Sequence, residues 1–461
     1  MNEQIERAPG RVLSSMNEDG SRRWIRPRLS RGRFLTARRV VAWFLVALFA
    51  LIPHLRLNGK PLMLFDIPKR QFTLFGTTFL PTDTLFLTLL LLAIFVGIFL
   101  LTAIFGRVWC GWACPQTVYM EFVYRPIERL FEGSRAQQLK RDREGPDARR
   151  LLKWLAFAVV SLLLAHTFLA YFVEVPVLLQ WMRGSPLAHP ASFLLVFGTT
   201  LLMLFDFGYF REQVCVVACP YGRFQSVLLD RRSLVVGYDA RRGEPRGKPA
   251  EREAGRAGDC IDCQACVVTC PTGIDIRDGL QMECVGCTQC IDACDAIMDR
   301  LGRPRGLIRY SSQDALAGRR SKVLRPRVIL YPLVLVLLLG LLGASLARRE
   351  SADVTLLRGI GSPFAVLPDG SISNQLRVKV VNRGAADASY LVELLGAPEF
   401  HVVAPQNPLP VAAGRSETAT LFVVGPASAF TRGERTVRVR VAGGAEFAHE
   451  QEYRLLGPEG R

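Results

Sequence analysis

Long apolar runs alternate with short arginine-rich segments through the first three-quarters of the chain, and the last quarter switches to two-residue alternation. Five runs, at about 40–53, 84–105, 152–173, 192–210 and 327–346, predict membrane-spanning helices. A bilayer core needs ~20 apolar residues in a helix, so the first run is short and needs its flanks. Leu85–Leu101 and Val328–Leu346 are the clearest. Beyond 350, Leu376-Arg377-Val378-Lys379-Val380-Val381, Thr418–Val424 and Thr436–Val441 alternate with period two, separated by turn signals such as Pro368-Asp369-Gly370 and Asn382-Arg383-Gly384. That pattern predicts antiparallel strands facing a core on one side.

The chain has 461 residues, half of them hydrophobic, and a net charge of +17. The charge does not indicate nucleic-acid binding, because it follows the predicted topology. Arg22, Arg23, Arg26, Arg28, Arg31, Arg33, Arg38 and Arg39 precede the first span. Arg125, Arg129, Arg135, Lys140, Arg141, Arg143, Arg149 and Arg150 lie between spans two and three, and Arg319, Arg320, Lys322, Arg325 and Arg327 lead into span five. The loops near 54–83 and 174–191 are poorer in basic residues. The positive-inside rule then places the N-terminus in the cytoplasm and, after five spans, the C-terminus outside, in the periplasm of a bacterial inner-membrane protein. The basic arm and the lack of a small-residue cleavage site argue against a cleaved signal peptide.

All twelve cysteines fall between positions 110 and 294, on the expected cytoplasmic side, where thiols stay reduced. Eight form two runs, Cys260-x-x-Cys263-x-x-Cys266-x-x-x-Cys270-Pro271 and Cys284-x-x-Cys287-x-x-Cys290-x-x-x-Cys294. This is the spacing of bacterial ferredoxins with two [4Fe–4S] clusters, in which the fourth cysteine of each run serves the other cluster. One ligand set is therefore Cys260, Cys263, Cys266 and Cys294; the other is Cys284, Cys287, Cys290 and Cys270. Zinc sites usually pair C-x-x-C elements and use four ligands in all, not two four-cysteine runs.

The remaining four cysteines repeat one pattern 105 positions apart: Cys110-Gly-Trp-Ala-Cys114-Pro115 and Cys215-Val-Val-Ala-Cys219-Pro220. Each follows the inner end of a span, after Phe105-Gly106 or Phe207-Gly208. The arrangement reads as a parallel repeat whose two cysteine pairs meet at the inner face of the membrane. On one helical turn, positions i and i+4 share a face, so each pair would present two thiols together. Such faces could hold a soft metal, cycle between dithiol and disulfide, or simply pack as small buried side chains. His166 inside span three and His54 at the outer end of span one are ionisable groups at or near membrane depth; His166 could touch a quinone or metal, or bond a backbone carbonyl. Glu174 and Asp206 read as interfacial. His401 and His449 are lone histidines on strands and indicate no site.

The expected fold is a multi-domain membrane protein: an α-helical transmembrane bundle of five spans, a ferredoxin-like module and a C-terminal all-β immunoglobulin-like sandwich. Its parts are a disordered basic arm (1–39), a four-span domain with both C-x-x-x-C-P motifs (40–239), a linker (240–258), the two-cluster module (259–300), a basic linker (301–326), the fifth span (327–346) and the sandwich (350–461). The Leu64-Phe65-Asp66-Ile67-Pro68 loop suggests a re-entrant or interfacial turn.

These residues together resemble the CcoG (FixG/RdxA) family of cytochrome c oxidase accessory proteins. The resemblance rests on the 64–68 loop, both C-x-x-x-C-P motifs, Cys270-Pro-Thr-Gly-Ile-Asp-Ile-Arg-Asp-Gly-Leu280, Cys290-Ile-Asp-Ala-Cys294-Asp and the terminal sandwich. It implies a role in maturing cbb-type heme–copper oxidases, with oxidase subunits or copper-delivery proteins as partners, and a cupric reductase that converts Cu(II) to Cu(I). Cys110, Cys114, Cys215 and Cys219 would then be the copper-reducing or copper-holding site, fed by the two clusters from an unnamed donor. The alternatives are a quinol-linked polyferredoxin and a non-enzymatic assembly scaffold.

Overall fold

The computed structural model describes all residues except 1–13, 18, 20, 58, 80–82, 146, 248–254, 320–324, 349, 385, 444–446 and 459–461, together with the side chains of 223, 224, 226 and 227. Five helices are long and apolar enough to cross a membrane: Arg33–His54, Thr84–Phe105, Ala148–Leu169, Pro190–Phe210 and Pro326–Ala347. Most of their large apolar side chains are exposed, as on a lipid-facing surface.

The first span begins at Arg33, seven residues before the expected start. Gly32 offers no side-chain cap. Asp292, on the helix Gln289–Arg300 of the cysteine module, supplies one instead: its carboxylate accepts from the Leu35 N–H at 2.7 Å and the Phe34 N–H at 3.2 Å. A Cβ on Gly32 would stand 2.3 Å from that carboxylate, so only glycine admits the approach. Arg33 and Arg38 thus join the helix.

Residues 21–32 of the arm are bound to the protein, contrary to the expected disorder; residues 1–13 lie outside the described residues. The Arg28 N–H donates to Val268 O, Thr269 Oγ1 to Arg28 O, and the Ser30 N–H to Gln289 Oε1. Arg26 is buried among acids. It bonds Glu128, Glu132 at 3.4 Å and Asp142 at 2.9 and 3.1 Å. Burial of an arginine requires such pairing. The polar, charged segment 133–150 contains the helix Arg135–Glu144, started by a capping box between Ser134 and Gln137.

The 64–68 segment opens a small sheet. Met63–Asp66, Gln71–Leu74 and Thr77–Phe79 form an antiparallel three-stranded meander, its second turn made by Phe75 and Gly76 at positive φ. Two-residue hairpin turns favour this geometry because it matches strand twist.

The cysteine module is bounded more widely than its ligands suggest. Val235–Tyr238 pairs antiparallel with Ile308–Ser311, one strand from each side of the ligand runs. Val236, Tyr238, Ile274, Ile276, Ile291, Met298, Leu307 and Ile308 form its apolar core. Part of the expected linker also folds onto it: Arg242 pairs with Asp259, and the Gly247 N–H donates to Cys260 O.

The C-terminal unit, Gly343–Arg461, has two antiparallel sheets. One runs 401–403, 416–425, 372–382, 352–358; the other runs 409–411, 388–395, 434–443, 447–456. The alternating runs are strands: Leu376, Val378 and Val380 face the core, as do Leu421, Val423, Val439 and Val441. His401 is exposed and His449 half-buried.

Candidate electron-transfer site

The two four-cysteine runs cross as their spacing requires. Cys260, Cys263, Cys266 and Cys294 line one cavity with Tyr238, Ile297, Met298 and Leu307. Cys270, Cys284, Cys287 and Cys290 line a second with Val236, Ile274, Ile276 and Val285, and Cys266 forms part of its wall. The loops turn through matched positive-φ positions: Asp262 and Gln264 flank Cys263, and Gly286 and Thr288 flank Cys287. This backbone curls each loop around a centre and turns its N–H groups inward. The Gly286 N–H bonds the Cys284 sulfur, and the Gln289 N–H bonds that of Cys287.

Burial pushes the thiols of Cys266, Cys287 and Cys294 up to about 12 and that of Cys284 up to about 11. As bare thiols they would hold their protons; as thiolates they need cations in place of water. A tetrahedral ion draws sulfurs to ~2.3 Å from its centre. A four-iron cubane stands between its ligands and asks for a wider cage, so the donor sets and their apolar walls fit [4Fe–4S] clusters.

The other four cysteines gather just past the C-terminal ends of spans two and four. Cys215 feels the charges of Cys114, Cys110 and Cys219, and Cys110 those of Cys114, Cys219 and Cys284. Burial leads each shift, pushing Cys110 up to about 12 and Cys114 and Cys215 upward as well. The expected shared helical face is not how they meet. Cys110 lies in the short helix Val108–Trp112, whereas Cys114 is extended and precedes the helix starting at Pro115. Cys215 sits in the wide turn Val214–Ala218, and Cys219 precedes the helix Pro220–Leu228. Proline disfavours helical backbone in the residue before it but suits the first helical position, so each Cys-Pro is a chain break. The Cys114 sulfur consequently receives the Gln116 and Thr117 N–H groups.

The repeat is exact in offset but not at the Phe-Gly pairs. Gly106 ends the second span at φ 56°, ψ −123°, and Arg211, 105 positions later, takes φ 53°, ψ −123°. An arginine in this glycine region costs about 1–3 kcal/mol. Its guanidinium is held by Glu128 at 3.0 and 3.1 Å. The constant offset could have identified Arg211 as the counterpart of Gly106; Gly208 instead lies within the helical turn 205–210.

Sequence reasoning also passed over the residues that place the quartet. Gln225, fully buried, accepts from the Cys110 thiol at 3.3 Å and donates to Gly106 O at 3.2 Å. Gln116 donates to Asp206 at 2.9 Å and to Arg211 O at 3.1 Å, tying the two repeats together. Arg107 donates to the carbonyls of Met282, Cys284 (3.0 Å) and Gly222 (3.3 Å), spanning the cluster loop and the second repeat. Arg38 Nε donates to Gly111 O at 2.8 Å.

The isolated histidines stand apart from this site. His166 Nδ1 is 2.8 Å from Leu162 O, a backbone partner within its own helix. His54 lines a cavity of about 310 Å³ with Arg56, Met63 and Glu174, and Glu174 pairs with Arg56 at 3.3 Å.

Residues 210–313 match the family model of a 4Fe-4S dicluster domain, residues 87–133 that of a 4Fe-4S binding domain, and residues 342–458 that of the IG-like fold at the C-terminus of FixG. Protein RdxA of Cereibacter sphaeroides is 38% identical over 422 residues, covering 87% of this chain and 89% of that protein. Nitrogen fixation protein FixG of Rhizobium meliloti is 34% identical over 78% of this chain and 77% of its own length. Protein RdxB of Cereibacter sphaeroides is 32% identical over 89% and 91%. With its two ferredoxin-type ligand sets, five apolar helices and terminal sandwich, the chain belongs to the FixG/RdxA family of iron–sulfur proteins.

Proposed function

We propose that this membrane protein reduces Cu(II) to Cu(I) for the assembly of a cbb-type cytochrome c oxidase, with Cys110, Cys114, Cys215 and Cys219 receiving the copper. The observation that carries this reading is the gathering of four soft thiols beside the Cys284 ligand loop. Thiolates favour Cu(I) over Cu(II). The bound clusters supply single electrons, and Cu(II) to Cu(I) consumes one. The chain's own part is to hold the thiols together, keep Cys114 against the Gln116 and Thr117 N–H groups, and shield the approach with Gln225 and Gln116.

In this reading the arm, the quartet and the module face the cytoplasm, as the arginine distribution favours. The sandwich faces the periplasm of a bacterial inner membrane, where it would meet oxidase subunits or copper-delivery proteins. The test is anaerobic purification, iron analysis and EPR of the reduced protein, followed by titration with Cu(II). About eight irons per chain are expected, with cluster oxidation matched by the appearance of Cu(I). Replacing all four quartet cysteines with alanine should retain the iron and abolish the reduction. Undiminished reduction in that variant sinks the assignment. Clusters that stay reduced in Cu(II) and that, after separate oxidation, are re-reduced by quinol would identify a quinol-linked carrier.

A further inference from the structure

Three redox-capable groups lie in this part of the molecule, and they are not equivalently placed. The Cys284 set touches the quartet. A Cβ on Gly111, the residue after Cys110, would fall 2.5 Å from Gly286 O, 2.7 Å from Gly286 C and 2.9 Å from Cys287 Cα. On the other side of this contact, a Cβ on Gly286 would fall 2.9 Å from Arg107 O. Two glycines thus let the Cys110 turn and the Cys287 turn meet backbone to backbone. Arg107 fastens the same seam through Cys284 O and Gly222 O. Tyr310 closes it by donating to Gly286 O at 3.2 Å while accepting from Trp112 Nε1 at 2.9 Å.

The contacts of the Cys260 set run elsewhere: a Cβ on Gly258 would fall 2.6 Å from Gly243 O, and the Gly247 N–H donates to Cys260 O. The set shares Cys266 with the wall of the Cys284 cavity. Cys263 is the one exposed cysteine of the twelve. The set therefore has solvent on one side and the Cys284 set on the other.

Building on the iron–sulfur and copper reading above, we infer that electrons enter at the Cys263 side, pass to the Cys284 set, and reach Cys110 across the Gly111–Gly286 backbone contact. The donor is a one-electron reductant that reaches the exposed Cys263 from solvent. It loses one electron for each Cu(II) that becomes Cu(I), and no bond or proton need move along the route. Gly111 and Arg107 are positioning residues: they bear no electron but fix the gap it crosses.

The experiment uses the full, cluster-loaded protein with a photo-oxidisable ruthenium complex attached to the quartet thiols, so that copper takes no part. A flash oxidises the label, and its re-reduction by the pre-reduced protein is followed by transient absorption, with EPR reporting each ligand set. Cys287→Ala should abolish fast re-reduction, and Cys263→Ala should leave it intact. Gly111→Ala must move its neighbours by about 1 Å to restore ordinary contact. Both EPR signals should persist while transfer slows severalfold, because the gap the electron crosses lengthens. Arg107→Gln should slow transfer in the same sense and decides the matter if Gly111→Ala fails to load its clusters. Wild-type rates in both positioning variants, with both signals present, would overturn the route; so would fast transfer that survives Cys287→Ala and is lost in Cys263→Ala. A wild-type protein that reduces the label but not Cu(II) would refute the copper reading alone.

Discussion

Replacing Glu128 with glutamine tests what holds the ends of the helices around Arg26 and Arg211 together. The Glu128 carboxylate receives both Nη groups of Arg211, at 3.0 and 3.1 Å, and also Arg26. The side chains of Glu128 and Arg211 are 6% and 3% exposed, and that of Arg26 5%. Glutamine keeps the shape and removes the charge, leaving two buried guanidinium groups under-compensated. Breaking a buried pair from one side costs about 3–5 kcal/mol. With a urea dependence of about 3 kcal/mol per M, the midpoint should fall by about 1–2 M. The assay is anaerobic urea unfolding in detergent, followed by loss of the visible cluster absorbance. Arg305→Ala serves as the comparison: its pair with Asp299 is exposed at both ends and should leave the midpoint in place. A Glu128→Gln midpoint equal to that of Arg305→Ala would refute the reasoning. The pH dependence has a definite sign. Burial alone would raise the Glu128 carboxyl, but Arg211, Arg26, Lys153 and Arg125 hold it down to about 2. Its stabilisation is therefore complete above the ordinary glutamate value of 4.5 and is lost as pH falls toward 2. The gap between wild type and variant should stay constant from neutral pH down to about 5 and narrow only below that.

Cys270→Ala should extinguish the EPR signal of the Cys284 set, although Cys270 lies in the first run, and lower iron from about eight to about four per chain. Asp292→Ala should cost about 1 kcal/mol by uncapping the first span, seen as faster hydrogen exchange at Phe34 and Leu35, and Asp292→Asn should recover most of it. Leu421, fully buried in the sandwich, should cost about 2–5 kcal/mol on change to alanine. Hydrogen exchange across 416–425 should report that loss while the iron content stays unchanged.

The spans, the sandwich strands and the eight cluster ligands were legible in the sequence because each is written locally. A span needs only length and apolarity, a strand needs alternation, and the cluster ligands need fixed short spacing. The arm was not legible. Eight closely spaced arginines read as solvated, yet Arg26 finds its acids 102 to 116 positions away. Those acids lie in segments that also read as polar. The mutual neutralisation of two polar segments has no periodic signature. The Ser134-x-x-Gln137 capping box did announce a helix there. The quartet was legible in composition but not in geometry. An i, i+4 spacing suggested a shared helical face, while the prolines after Cys114 and Cys219 dictated a break between each pair.

The cap that Asp292 places on the first span joins residues 257 positions apart. At a synthesis rate of ~5–20 residues per second, the helix leaves the ribosome roughly 13–50 s before its cap exists. Through that interval the span has an open N-terminal turn with its cap still unmade. The same is true of the arm, whose Val268, Thr269 and Gln289 partners also come late. Maturation then includes a docking step: the newly made module closes over a much earlier part of the chain, and faults in filling it are felt at the first helix.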